Sequence, residues 1–233
     1  MDRLSVGSHA AYTNNPLNYA RIPHEKYLKT WGKGTKEVLL LGMNPGPFGM
    51  AQNGVPFGDT AMVRDWLGIS GKVTKPSSEH PRRPILGFDC ARSEVSGSRL
   101  WGWAAKRFIQ PQHFFDRFFV VNYCPLVFMD PAGRNLTPDK LPKEKQQALY
   151  APCTVALIST IKKLKPDWVI GIGKFAEKRA KEALNQPELL EELSLKKIPQ
   201  VGTILHPSPA SPLANRGWAQ AAESQLKALA IKI

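Results

Sequence analysis

Val38-Leu39-Leu40-Leu41-Gly42-Met43, halted at once by Asn44-Pro45-Gly46-Pro47, is the stretch on which the fold turns. A short, unbroken apolar run predicts a strand buried on both faces, as in a parallel sheet covered by helices. The same grammar recurs. Phe118-Phe119-Val120-Val121-Asn122 stops before Cys124-Pro125, Trp168-Val169-Ile170-Gly171-Ile172-Gly173 follows, and Val201-Gly202-Thr203-Ile204-Leu205 ends in His206-Pro207-Ser208-Pro209. Helical patterns fill the gaps. Asn15 to Trp31 reads as a helix broken at Pro23, and Asp59 caps a helix to about Leu67. Further helices are predicted from Arg99 to Ile109, Pro142 to Leu164 and Lys174 to Leu184, with a terminal helix capped by Ser211 or Asn215 and running to about Ala230. Gly71 to Pro84, polar and basic, reads as a surface loop. Alternating strands and helices without a repeat predict an α/β fold: one domain over residues 1–233, with a mostly parallel central sheet of about four strands flanked by helices on both faces.

Composition bounds the function. Hydrophobic residues make up 42% and charged residues 22% of the 233, which is globular and excludes wholesale disorder. No run approaches about 18 apolar residues, and Met1-Asp2-Arg3-Leu4-Ser5 lacks the apolar core of a secretion signal. The expectation is an intracellular protein without a membrane partner, cytoplasmic in a bacterium or nuclear in a eukaryote. Cys90, Cys124 and Cys153 are isolated, which fits neither a disulfide framework nor a metal site, so they are expected as reduced core thiols. Neither metal nor cofactor is called for. The 32 Lys and Arg against 19 Asp and Glu leave a net charge of +13, which points to a polyanionic partner. Nucleic acid comes ahead of a membrane surface, because no strongly basic amphipathic helix is present.

In open parallel sheets, ligands bind beyond the carboxyl ends of the strands, where strand order reverses. That rule selects Asn44, Asn122 and His206, each a polar residue at the end of an apolar run. Every one also has an ordinary structural reading. The Pro-Gly loop after Asn44 serves equally as a tight strand-to-helix connection, since no phosphate-binding loop motif is present. A lone His before Pro is commonly a hydrogen-bonded structural side chain, although His is also the residue best suited to donating a hydrogen bond near neutral pH. A strand-end Asn satisfies backbone groups, yet its adjacent donor and acceptor can read a hydrogen-bonding edge. Phe57 alone reads as core packing.

Together the segments carry more. Gly42-Met43-Asn44-Pro45-Gly46-Pro47-Phe48-Gly49-Met50-Ala51-Gln52, then Gly54-Val55-Pro56-Phe57-Gly58, and later His206-Pro207-Ser208-Pro209, closely resemble the two active-site motifs of the uracil-DNA glycosylase superfamily. Within it the resemblance is to the single-strand-selective monofunctional branch. Glu94-Val95-Ser96-Gly97-Ser98-Arg99-Leu100-Trp101-Gly102, Asn122-Tyr123-Cys124-Pro125-Leu126 and Gly133-Arg134-Asn135-Leu136-Thr137-Pro138 add to the resemblance.

The resemblance implies a DNA repair enzyme that flips uracil, and 5-hydroxymethyluracil, out of DNA and hydrolyses its N-glycosidic bond without a lyase step. It implies Asn44 and His206 as catalytic residues: Asn44 positions the attacking water, and His206 hydrogen-bonds the anion developing on uracil O2. Phe57 would stack on the base, Asn122 would read its edge, and Gly46 and Met50 would line the space near C5. Ser208, Ala210, Asn215, Arg216 and Arg99 would meet DNA, with Lys72, Lys75, Arg82 and Arg83 adding attraction to its backbone. The first motif offers no carboxylate before Asp59, so a dissociative reaction is expected. One departure stands out: Ala210-Ser211 occupies the place of the family's Arg-Asn, whose Arg wedges the duplex. A smaller wedge favours single-stranded or mismatched DNA, bound by a monomer. The competing readings are a mismatch- or purine-type glycosylase acting on xanthine or hypoxanthine, and a non-catalytic protein that senses damaged DNA.

Overall fold

The computed structural model describes residues 10–233, so the Met1-to-Ser5 reading lies outside the described residues. In chain order the main elements are β1 (Tyr12–Asn14), α1 (Pro16–Tyr19), α2 (Arg21–Trp31), β2 (Val38–Gly42), α3 (Met50–Asn53), α4 (Val95–Phe108), α5 (Pro111–Phe115) and β3 (Phe118–Asn122). They continue with β4 (Val127–Met129), β5 (Asn135–Leu136), α6 (Lys143–Leu164), β6 (Trp168–Ile172), α7 (Lys174–Leu184), α8 (Pro187–Glu192), β7 (Gln200–Ile204), α9 (Pro212–Asn215) and α10 (Trp218–Ala228).

Four strands form a parallel sheet in the order β3-β2-β6-β7. Val38, Leu39, Leu40 and Leu41 are wholly buried on the central strand β2, each side chain gaining roughly 1.5–3 kcal/mol from leaving water. Right-handed crossovers decide where the helices go. The link from β2 to β3 runs one way along the sheet and carries α4 and α5, while the links to β6 and β7 run the other way and carry α6 and α7. Helices therefore cover both faces, with α6 packed on α7 and α10 packed on α4. Strand order reverses between β2 and β6, next to the strand that ends in the Asn-Pro-Gly-Pro loop.

Several boundaries differ from expectation. The first helix breaks at Ala20, not Pro23; Pro23 sits in the first turn of α2, where its missing N–H has no helical acceptor to lose. The terminal helix is two pieces, because Gly217 adopts φ 142° and parts the four-residue α9 from α10. Ser211 caps only α9, so its N-terminus is one turn and not the start of a long helix dipole. Asp59 does cap the turn after it, accepting from Met62 N at 3.2 Å, but that turn widens into a π-helix over Met62–Trp66. A second sheet, antiparallel and ordered β1-β4-β5, was not expected. All three cysteines are free and buried.

Candidate active site

A cleft of about 440 Å³ opens at the carboxyl ends of the parallel strands. Asn44, Gly46, Met50, Phe57, Asn122, His206 and Ser208 all line it, so the proposed catalytic and base-contacting side chains are brought together. Two larger hollows, of about 830 and 900 Å³, lie elsewhere and hold none of the residues singled out by the sequence.

Asn44 stands two residues beyond β2. Its Nδ2 donates to Leu126 O at 3.3 Å and Leu136 O at 3.5 Å, carbonyls flanking and within the small antiparallel sheet. The amide is thereby oriented, and its Oδ1, which makes no hydrogen bond among the described residues, is the atom left for the cleft that Asn44 lines. Asn135 from the same sheet and Thr137 just after it join the lining. Here the unexpected sheet acquires a purpose: it is the buttress of Asn44.

Asn122 closes β3 directly beside Gly42 of β2. Its Nδ2 donates to Met50 Sδ at 3.4 Å. An amide nitrogen carries two hydrogens, so one remains for a ligand. A methyl group on Gly42 would lie 2.2 Å from Asn122 Oδ1 and 2.7 Å from Phe57 Cε2. Gly42 is therefore a site residue by subtraction, since its bare backbone makes room for both neighbours. In the sequence it showed as a glycine closing a buried strand and opening the first motif.

Phe57 is held at φ 53°, a left-handed conformation that costs a non-glycine residue roughly 1–2 kcal/mol. Surrounding contacts enforce it. Asn53, fully buried, accepts from Val55 N at 3.1 Å and donates to Gly58 O. Behind the loop, Gly97 at the start of α4 packs so closely that a methyl group there would sit 2.0 Å from Phe57 O. Gln52 ties the loop further, donating to Pro47 O at 2.8 Å and Pro84 O at 3.1 Å and accepting from Leu86 N at 2.8 Å. The Phe57 and His206 rings stand 6.1 Å apart with planes tilted by 42°.

His206 projects from beyond β7, and burial lowers its pKa to about 4. At neutral pH the ring is uncharged and carries one N–H. Gly173, at φ 92°, brings its backbone against the His206 side chain.

The first motif itself holds no carboxylate before Asp59, but Glu94 brings one to the cleft from another segment. It lines the cleft as the N-cap of α4, accepting from Ser96 N at 3.2 Å and from Gly97 N, and burial raises its pKa. Asp59 in turn accepts from Glu94 N at 3.0 Å and Ser93 Oγ at 2.7 Å. Tertiary folding alone brings the 94–97 turn to the cleft, which is why spacing along the first motif did not show it.

The remaining predicted residues lie outside the cleft. Arg99, half-buried on α4, donates to Pro207 O at 3.1 Å, Ser208 O at 3.3 Å and Asn215 Oδ1 at 2.8 Å, bracing the loop that carries His206. Asn215 Nδ2 donates to Pro209 O at 2.9 Å, and Ser208 Oγ accepts from Ala210 N at 3.1 Å. Ala210 and Arg216 are exposed, as is Lys72. Lys75 pairs with Glu79, and Arg82 and Arg83 donate to the carbonyls of Ala132 and Gly133. No cluster of three or more His, Cys, Asp or Glu able to hold a metal occurs among the described residues, and no described helix is long and apolar enough to cross a membrane.

Residues 30–228, which include the strand-end Asn and His that line this cleft, are matched by a model of the uracil DNA glycosylase superfamily; the chain belongs to that superfamily. Within it, the chain is 50% identical over 219 residues to the single-strand selective monofunctional uracil-DNA glycosylase of Rattus norvegicus, an alignment covering 93% of this chain and 75% of the rat protein. The protein of the same name from Mus musculus is 49% identical with the same coverage, and that from Bos taurus is 48% identical over 93% of this chain and 77% of its own. A crystal structure of wild-type Pedobacter heparinus SMUG2 shares the fold, with a TM-score of 0.62 at 20% identity over 95% of this chain and 89% of that one.

Proposed function

We propose that the protein is a monofunctional uracil-DNA glycosylase of DNA repair, acting on uracil flipped from single-stranded or mismatched DNA. The observation that carries this is the convergence of Asn44, Phe57, Asn122 and His206 on one cleft.

Flipping requires a few kcal/mol of unstacking, least for an unpaired base. Phe57, locked by its neighbours, offers a ring against which the base stacks. Asn122 faces the base edge: its free amide hydrogen meets O4 and its carbonyl meets N3–H. Cytosine presents the reverse pattern, and a mispaired buried polar site discriminates by as much as about 10⁴–10⁵. As the glycosidic bond breaks, negative charge gathers on the base. The neutral His206 donates its N–H to O2, and one preorganised donor of this kind is worth about 2.7–4 kcal/mol.

Asn44 Oδ1 accepts a hydrogen bond from water and aims its oxygen at the sugar. An amide takes up no proton near neutral pH, so it orients water and does not activate it. Glu94 adds no obvious base, because its carboxylate is committed to the backbone N–H groups of α4. Water held so gently attacks a centre from which the base has largely departed, which is a dissociative course. No lysine lines the cleft among the described residues, in keeping with hydrolysis without a Schiff base.

The direct test incubates labelled single-stranded DNA carrying one uracil with the protein in chelator, then heats it in alkali. Scission at the uracil is expected; intact strands would overturn the proposal. Asn44→Ala and His206→Ala are each expected to slow scission several hundredfold while affinity for the strand persists.

A further inference from the structure

Beside the cleft lies an arginine pair that the reaction does not use. Phe48 sits between Pro47 and Gly49, both part of the cleft lining, but its own ring lies outside that lining. Two guanidinium groups lie over this ring: Arg92, with Cζ 4.0 Å from the centroid, and Arg83, with Cζ 5.1 Å from it. Neither forms an ion pair among the described residues. Arg83 gives Nε to Gly133 O and a terminal nitrogen to Arg82 O, whereas the Arg92 guanidinium makes no hydrogen bond among the described residues. Two other cations of the same segments are ion-paired, Lys75 with Glu79 and Arg134 with Asp130.

Two like charges over one half-buried ring repel, and the ring's attraction for each only partly offsets this. An anion between them removes the conflict. A guanidinium laid over an aromatic face is also pre-positioned, with its in-plane N–H donors still available for a forked contact with phosphate. The location narrows the choice of anion. Phe48 belongs to the loop that frames the base site, and Arg92 precedes the cleft-lining Glu94 by two residues. A strand that delivers a nucleotide into the cleft must carry its neighbouring phosphates across this rim.

We infer that Phe48 is the platform of a two-arginine clamp, Arg83 and Arg92, that grips a backbone phosphate of single-stranded DNA flanking the flipped nucleotide. The placement of that nucleotide rests on the glycosylase reading; the clamp's affinity for a strand does not. The contact is sequence-independent and raises strand affinity without touching the chemistry.

The test measures binding of a labelled, uracil-free oligothymidylate by anisotropy across a salt series, alongside uracil excision over a range of protein concentrations. Arg92→Ala should weaken binding about three- to tenfold and reduce the slope of log Kd against log salt by about 0.7, the increment for one phosphate contact on a single strand. Phe48→Leu, which keeps every charge, should also weaken binding, because the guanidiniums lose their platform. In both variants the half-saturating concentration for excision should rise while the saturating rate holds. Unchanged binding in Arg92→Ala overturns the clamp, and unchanged binding in Phe48→Leu overturns the ring's part in it. A fall in the saturating rate with unchanged half-saturation would make the stack a prop for the active-site loop instead. If the wild type binds strands through this pair yet excises nothing, the clamp stands and the glycosylase reading falls.

Discussion

Replacing Gly42 with alanine is the most incisive perturbation the structure offers. One added methyl group would lie 2.2 Å from Asn122 Oδ1 and 2.7 and 3.0 Å from Phe57 Cε2 and Cζ. Ordinary carbon–oxygen contact needs about 1 Å more than the first of these. The strand cannot yield, because Gly42 lies in the register of a central parallel strand paired with Asn122 itself. The side chains must move instead. Phe57 is pinned through its left-handed backbone, so most of the displacement falls on Asn122. A misplacement of about 1 Å in a positioned group costs on the order of 10²-fold in rate. Overpacking costs about 1–3 kcal/mol of stability, or roughly 2–10 °C in melting temperature for a chain of this size. Single-turnover excision from a uracil-containing strand, paired with thermal melting, separates the two effects. Gly102→Ala is the matched control: a methyl group there meets nothing within 4 Å, and the site is inside α4, where alanine stabilises by up to about 1 kcal/mol. If Gly42→Ala excises uracil within threefold of the wild type while still folded, the claim that this glycine shapes the base site is wrong.

Other expectations follow from the same geometry. Burial holds the His206 pKa at about 4, below its ordinary 6.5, so the folded protein resists the proton that the unfolded chain accepts between those values. The resulting stability is complete above about pH 6.5 and declines as pH falls toward 4; urea midpoints across that range, compared with His206→Asn, measure it. For the same reason kcat/KM should lack an acid limb near pH 6.5, and a limb there would mean that the free enzyme's His206 is not kept neutral. Asn122→Asp should relax the preference for uracil over cytosine, read from a pair of otherwise identical strands, and unchanged selectivity would remove Asn122 from base reading. Ala210→Arg restores a wedge at an exposed loop position and should raise excision from paired duplex about fivefold with little change on single strands; equal effects on both would show that the loop does not part the duplex.

What could be read from sequence followed the physics of each element. Val38 to Leu41 and Phe118 to Val121 announce themselves because strands covered on both faces must be apolar throughout. β1, β4 and β5 are two or three residues long, too short for any period to register, and their value to Asn44 is carried by the carbonyls of Leu126 and Leu136, to which side-chain chemistry is blind. Asn44, Asn122 and His206 were legible because strand ends in a parallel sheet are where ligands bind. Glu94 and Gly97 were quoted within a recognisable motif, but their closeness to Phe57 is created only when α4 docks. Arg99 illustrates the limit from the other side: its charge suggested DNA, and its hydrogen bonds show a brace for the His206 loop.

The strand between the two proposed catalytic ends contributes neither of them. Asn44 leaves β2 and His206 leaves β7, with β6 lying between. Neighbouring strands are held about 4.8 Å apart by their hydrogen-bonded ladders, so the two residues rise from bases roughly 10 Å apart. β6 thus works as a gauge block: the gap between Asn44 and His206, proposed to hold the water and to meet the leaving charge, is metered by peptide geometry. Side chains around the rim carry no such constraint, so a substitution there leaves the spacing of the two strand ends unchanged.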